Sequence, residues 1–441
     1  MDVFRIQGGI PLRGEVAVGG SKNAALPIMA ASILAGAPVW LSGVPEVIDV
    51  DTLSLVLGRL GVEVSRQLDG RMKLETFDAR PTHAGYELVG RMRASFCVLG
   101  PLLARRGHAV VALPGGCNIG DRPVDLHLKG LEALGAKIRV EHGYVVAEAR
   151  RLVGARVPLS GPRGPTVTGT ANVLSAAVLA RGQTTITGAA MEPEVVDLGR
   201  FLIALGAKIA GLGTPTLVID GCGELGGASY RMIPDRIEAA TLLLAAAITG
   251  GAATIAGANP RHLAEVFVHL RRAGAELAIS GDRVSLASRN RPKPTQLTAL
   301  PYPGIPTDLQ PQWMAWMALA SGSTTLRDCV FCDRFLHVAE LKRLGARIQR
   351  AGETAIVSGV ERLSGACVTA SDLRAGAALV LAGLAAEGQT LVRRVEHVDR
   401  GYERLEQKLR ALGARIERVA EDDPQPSLPE LPDLAASDQS L

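Results

Sequence analysis

Six times along the chain an almost wholly apolar stretch ends at glycine and gives way to a short strand-like run. The apolar stretches cover residues 24–36, 94–107, 171–182, 239–250, 312–322 and 375–388. They lack a polar face, which predicts helices buried on all sides, with the terminal glycine as C-cap. The runs that follow, 39–42, 109–113, 184–187, 253–256, 324–327 and 390–393, predict strands. A second, amphipathic stretch comes next, for example 196–205 or 402–412. In the latter Leu405, Leu409 and Leu412 fall at i, i+4 and i+7, as on a helix with one face in solvent.

The pattern has a fixed period. A Leu-Gly-Ala phrase closes each amphipathic stretch, at Leu60 (as Leu-Gly-Val), Leu134, Leu205, Ala273 (as Ala-Gly-Ala), Leu344 and Leu412, at intervals of 74, 71, 68, 71 and 68 residues. Such a period marks a repeated structural unit. Each unit reads as helix, strand, helix and strands, giving an α/β fold of six repeats that divide three plus three. The opening run Val3-Phe4-Arg5-Ile6 precedes the first repeat and predicts an orphan strand that completes the other half. The expected domains are therefore 22–230 and 1–21 with 231–420, and 441 residues are long for a single core.

Composition narrows the function. The net charge is +4, but the segment 421–441 holds six acidic residues and no Lys or Arg, so the rest carries +10. This acidic, Pro-rich tail is expected to be disordered. The basic excess suits small anionic ligands; without a Lys/Arg-rich run, nucleic acid is not an expected partner. The uncharged run 239–260 breaks at Thr249-Gly250-Gly251, which predicts a buried helix then a strand, not a membrane span. An early acid and no apolar leader predict no export signal, and six scattered cysteines fit reduced thiols in the cytoplasm. Cys329 and Cys332 form an isolated CxxC without a second pair, too little for a metal site. No cofactor is expected, and the chain is expected to be a monomer or weak homo-oligomer.

The units differ just before their apolar helices. Those starts are polar, and several carry cations, among them Lys22, Arg93 and Arg374. Ser, Thr and Asp there are good N-caps. A cation at a helix N-terminus opposes the macrodipole, whereas a bound anion resolves the conflict. The second unit also carries a glycine-rich loop, 113–127, with Cys117 beside Asp121, Arg122 and Asp125. Its glycines permit close approach to a ligand, and a neighbouring cation can activate a thiol.

Together these segments resemble the enolpyruvyl transferases that act on UDP-N-acetylglucosamine. The resemblance spans residues 1–419 and rests on Gly20-Ser-Lys-Asn-Ala-Ala-Leu-Pro27, Met92-Arg-Ala-Ser95, the loop 113–127, Glu192-Pro-Glu-Val-Val-Asp197, Pro234-Asp-Arg-Ile-Glu238, Pro306-Thr-Asp-Leu-Gln310, Arg334-Phe-Leu-His337, Asp372-Leu-Arg-Ala375 and Asp399-Arg-Gly-Tyr-Glu403. It implies an EPSP synthase-like, two-domain inside-out α/β barrel of six βαβαββ units. It also implies transfer of the enolpyruvyl group of phosphoenolpyruvate to the 3′-hydroxyl of UDP-N-acetylglucosamine, the first committed step of peptidoglycan synthesis. By resemblance Cys117 is the proton donor, Asp308 the base, and Lys22, Arg93, Arg122 and Arg400 hold phosphate and carboxylate, with Asn23 beside them. Arg122, Pro123, Val124, Asp125 and Leu126 match the uridine-binding segment. Thr166, Val167 and Val330 match substrate contacts, and Arg334, Asp372 and Arg374 a supporting shell. His127 and His337 are expected to be structural.

Two departures stand out. Thr168 replaces a glycine, and Cys332-Asp333 precede Arg334 where Glu-Asn is common. The alternatives are the sister enzyme acting on shikimate 3-phosphate, which lacks need of a uridine site, and a non-catalytic UDP-sugar-binding regulatory paralogue.

Overall fold

The computed structural model describes residues 2–115 and 123–421. Cys117, Arg122 and the acidic tail beyond Glu421 lie outside the described residues.

Six apolar helices form the interior: α1 (Lys22–Ala31), α2 (Leu99–Arg106), α3 (Val167–Ala177), α4 (Arg236–Ile248), α5 (Gln310–Met317) and α6 (Leu373–Ala385). Every residue of α4 and α5 is buried, as expected of helices without a polar face. They pack in two groups. In one, α1, α2 and α3 contribute to a core drawn from residues 24–232; in the other, α4, α5 and α6 pack on each other in a core drawn from residues 237–416 with Phe4, Ile6 and Leu12. Each fully buried Leu or Ile of these helices contributes roughly 1.5–3 kcal/mol.

Six four-stranded sheets surround the helices, and each repeats one pattern of a parallel edge pair followed by two antiparallel pairings. The chain opening is shared between sheets. Strand Asp2–Gln7 lies antiparallel between Gln389–Arg393 and Arg415–Ala420, and Arg13–Ala17 adds in parallel to Ala252–Ala256. Strand Ala228–Arg231 returns to pair with Val39–Ser42. The architecture is the mixed α/β, six-unit arrangement expected from the repeat. Among the described residues no helix is long and apolar enough to cross a membrane; the uncharged run forms α4 and then strand Ala252–Ala256.

The Leu-Gly-Ala phrase has a structural cause. Its first residue is the C-cap of each outer helix, and the next glycine takes a left-handed backbone at φ 75, 94, 111, 98, 92 and 93° in the six units. The glycines after the inner helices behave differently from expectation. Only Gly107 is itself a C-cap; α1, for instance, stops at Ala31 and tightens into a 3-10 turn, Ser32–Leu34, well before Gly36. The second inner helix starts late, after a 3-10 turn over Arg93–Val98, with Pro101 in its first turn, where a missing N–H costs no intrahelical bond. The last outer helix spans only Leu405–Ala411, since Arg404 sits at φ 47° and breaks the predicted run; Tyr402 is turned into the core.

The chain passes between the two cores twice, and the passages pair. Gly20 and Pro234 form an antiparallel bridge, with Ser21 N donating to Ile233 O and Asp235 N to Gly19 O, both at 2.9 Å. A Cβ on Gly20 would lie 1.5 Å from Gly43 O, so the crossing is closed to larger residues.

Candidate active site

The crossing places the starts of α1 and α4 together. Ser21 caps α1 by accepting from Ala24 N, which puts Lys22 and Asn23 in its first turn. Asp235 caps α4 through Ile237 N and Glu238 N, and its other oxygen accepts from Lys22 N at 3.2 Å. Lys22 is only 7% exposed, and its Nζ meets Asp49 Oδ2 at 2.6 Å. Asp49 Oδ1 accepts from Arg400 Nε at 2.9 Å. One carboxylate from the first core thus gathers a lysine of its own half and an arginine of the other. Burial pushes the Asp49 carboxyl up, but Lys22 and Arg400 outweigh it and the net shift is downward.

Asp308 is gripped more tightly. It lies in the 3-10 turn Thr307–Leu309 and caps no helix. Oδ1 accepts from Arg334 Nη1 at 2.7 Å; Oδ2 accepts from Arg374 Nη2 at 2.9 Å and Asn23 Nδ2 at 3.4 Å. Burial favours the neutral acid, yet the Arg374 and Arg334 charges prevail and hold the carboxyl well below the usual range. The two arginines are fixed from behind. Arg374 is buried over the Tyr402 ring at 5.0 Å, and Arg334 also reaches Thr307 Oγ1 and lies 4.0 Å from Asp372. Asp372 caps α6 through Arg374 N and Ala375 N.

These groups meet at a cleft of about 950 Å³ lined from both cores. Lys22, Asn23, Asp308 and Arg400 line it, as do Arg334 and Val330. Arg93 lines it too and donates from Nη2 to Pro123 O at 2.9 Å, tying the α2 approach to the segment Pro123, Asp125 and Leu126. Thr166 and Val167 complete this wall at the start of α3, where Thr166 is the N-cap. Val124, expected with the uridine-binding segment, packs on the first core and does not line the cleft, while Arg374 and Asp372, expected as a supporting shell, are buried behind Asp308. Arg400 pairs with Asp49, not with Glu403 on its own segment.

The cleft also contains groups that sequence reasoning passed over. Asp49 reads in sequence as one of several acids opening an outer helix, where the macrodipole alone explains it. Arg236 makes a buried two-point pair with Glu194, at 2.9 and 3.1 Å, and stacks over Tyr302 at 5.5 Å. Glu192 accepts from Tyr302 N at 3.3 Å, and burial raises its carboxyl. Both glutamates and Arg236 belong to the motifs that carry the resemblance, which was the available signal. Cys97 lines the cleft as well, but burial pushes its thiol up to about 12, so it is a poor acid or nucleophile near neutral pH.

The arrangement can do defined chemistry. Buried cations that are already oriented stabilise developing negative charge without reorganising. A cleft of this size also accommodates more than one small substrate.

Comparison with known proteins agrees with this chemistry. The profile of the family described as EPSP synthase (3-phosphoshikimate 1-carboxyvinyltransferase) matches residues 6–409. Among solved structures, the enolpyruvyl transferase NikO from Streptomyces tendae is similar with a TM-score of 0.85 at 28% identity, over 95% of this chain and 99% of that one. EPSP synthase from Acinetobacter baumannii superposes with a TM-score of 0.71 at 20% identity, over 95% of this chain and 100% of that one, a likeness of fold.

Proposed function

The chain belongs to the EPSP synthase family of enolpyruvyl transferases, and from that premise we propose that it transfers the enolpyruvyl group of phosphoenolpyruvate to the 3′-hydroxyl of UDP-N-acetylglucosamine and releases phosphate. The observation that carries the reading is one cleft whose lining joins Lys22, Arg400 and Asp308 to the Arg93–Pro123 wall and the start of α3. The first group suits phosphoenolpyruvate and a reacting hydroxyl. The second extends the cleft for a long, anionic acceptor. The likeness to NikO supports the enolpyruvyl step.

In this reading Lys22 and Arg400 neutralise the phosphate and carboxylate of phosphoenolpyruvate, with Asp49 fixing the two cations. A proton is added to C3, by resemblance from Cys117, and positive charge develops at C2. The acceptor oxygen forms its bond to C2, giving the tetrahedral intermediate. Asp308 orients the hydroxyl and takes its proton. So depressed a carboxylate is a weak base towards a free hydroxyl, but an oxygen already bonding to a cationic C2 is strongly acidic, and a weak base suffices. Loss of a C3 proton and of phosphate then restores the double bond. By resemblance the segment 113–127 also supplies Arg122, which with Cys117 lies outside the described residues.

The test is phosphate release from phosphoenolpyruvate with each acceptor. Release is expected with UDP-N-acetylglucosamine and not with shikimate 3-phosphate; release only with the latter, or with neither, rejects the reading. Cys117→Ser is expected to lower turnover at least about 100-fold, the low end for a general acid, and to abolish alkylation by the epoxide phosphonate fosfomycin.

A further inference from the structure

Thr168 lies in the first turn of α3, lines the cleft, and stands where the resembling enzymes more often carry glycine. Its Oγ1 is 3.1 Å from His127 Nε2, and His127 Nδ1 is 2.9 Å from Asn172 Nδ2. Which atom donates at each step follows from fixed partners at the far end. The Gly100 amide can only donate, and it meets Asn172 Oδ1 at 2.8 Å. The Phe96 carbonyl can only accept, and it meets Asn172 Nδ2 at 3.0 Å. Asn172 therefore presents its NH2 to His127, whose Nδ1 must accept. His127 is 1% exposed, and burial together with the Arg93 charge pushes its pKa down to about 3, so the ring is neutral and carries its one proton on Nε2. Nε2 donates to Thr168 Oγ1. One lone pair of the hydroxyl is thus engaged from within the protein, and its own proton has no described protein acceptor.

We propose that the Thr168 hydroxyl, set by the Asn172–His127 pair, donates its hydrogen bond to a phosphoryl oxygen of the second substrate. A phosphoryl oxygen fits because it accepts without a proton of its own to place, and because Arg93, close enough to act on the His127 ring, makes this wall favourable to an anion. Thr168 is then a specificity-determining residue for the acceptor, and His127 a positioning residue behind it. The inference rests on the reading of the acceptor as a nucleotide sugar.

The full-length chain is titrated with UDP-N-acetylglucosamine, and the steady-state constants are measured for wild type, Thr168→Val and Thr168→Ser. Losing a hydrogen bond to a charged group is expected to raise the Kd and the KM for UDP-N-acetylglucosamine about 10- to 100-fold in Thr168→Val. The KM for phosphoenolpyruvate and kcat at saturation are expected to hold, and Thr168→Ser to restore affinity. In competition, UDP is expected to show the same loss and uridine none. Nitrogen-15 shifts of His127 are expected to place the proton on Nε2. A change confined to the KM for phosphoenolpyruvate, an equal loss with uridine, failure of Thr168→Ser to rescue, or a proton on Nδ1 each overturns the inference. Wild-type protein that binds no UDP-N-acetylglucosamine overturns the reading of the acceptor itself. Binding that Thr168→Val leaves intact overturns the inference alone.

Discussion

At the scale of residues, the site is governed by how its carboxylates are paired. Asp308 faces two guanidiniums, so its folded pKa is below its unfolded one and it stays ionised through the whole range in which the enzyme would be assayed. Lowering the pH from 8 to 5 therefore should not titrate it. The kcat/KM profile is expected to show no acidic limb that disappears in Asp308→Asn, while that substitution lowers kcat by roughly 100-fold or more. An acidic limb between pH 5 and 7 present in wild type and absent in Asp308→Asn would show a poised base instead. Lys22, Arg93 and Arg374 were visible in sequence because cations interrupt a repeat otherwise built for burial, whereas Arg334 and Arg400 were singled out by the resemblance alone. What each touches was not visible. Arg400 sits one turn from Glu403 along the chain, yet it pairs with Asp49, 351 positions away. Arg374 was readable as a cation at a helix start, but its burial over Tyr402 goes with Arg404 delaying the start of the last outer helix, which leaves Tyr402 outside that helix and in the core.

At the scale of elements, the fold was legible because two local rules recur six times: an inner helix with no polar face, and an outer helix ended by a left-handed glycine. Helix ends were less legible. Prolines and 3-10 turns set them, and both act through backbone hydrogen bonds that apolar periodicity does not encode. The paired crossing is the element most sensitive to substitution. Gly20→Ala places a methyl against the Gly43 carbonyl, and no flexible side chain stands there to give way. The expected result is a destabilisation of about 2 kcal/mol or more, a fall in Tm of roughly 2 °C for a chain this long. Thermal unfolding of wild type and Gly20→Ala measures it, and an unchanged Tm would show that the crossing can open.

At the scale of the molecule, the cleft is lined from both cores, and the contacts that join them are ionic and polar: Arg400 with Asp49, Arg404 with Glu46, Asn23 with Asp308. Apolar area holds each core together, while charge aligns one core on the other, so the ligands' own charges act on the same contacts. The order of strands carries a different consequence, for synthesis. Asp2–Gln7 leaves the ribosome before the other described strands, but its two neighbours in the sheet are Gln389–Arg393 and Arg415–Ala420. At about 5–20 residues per second, that first strand waits roughly 20–80 s for them. During that wait the core drawn from residues 24–232 already has its whole sequence, including strand Ala228–Arg231 that closes its first sheet. Nascent chains halted after residue 280 are therefore expected to protect 24–232 from protease while leaving 2–7 cleavable. Equal cleavage of both segments would mean that neither core forms until the chain is complete.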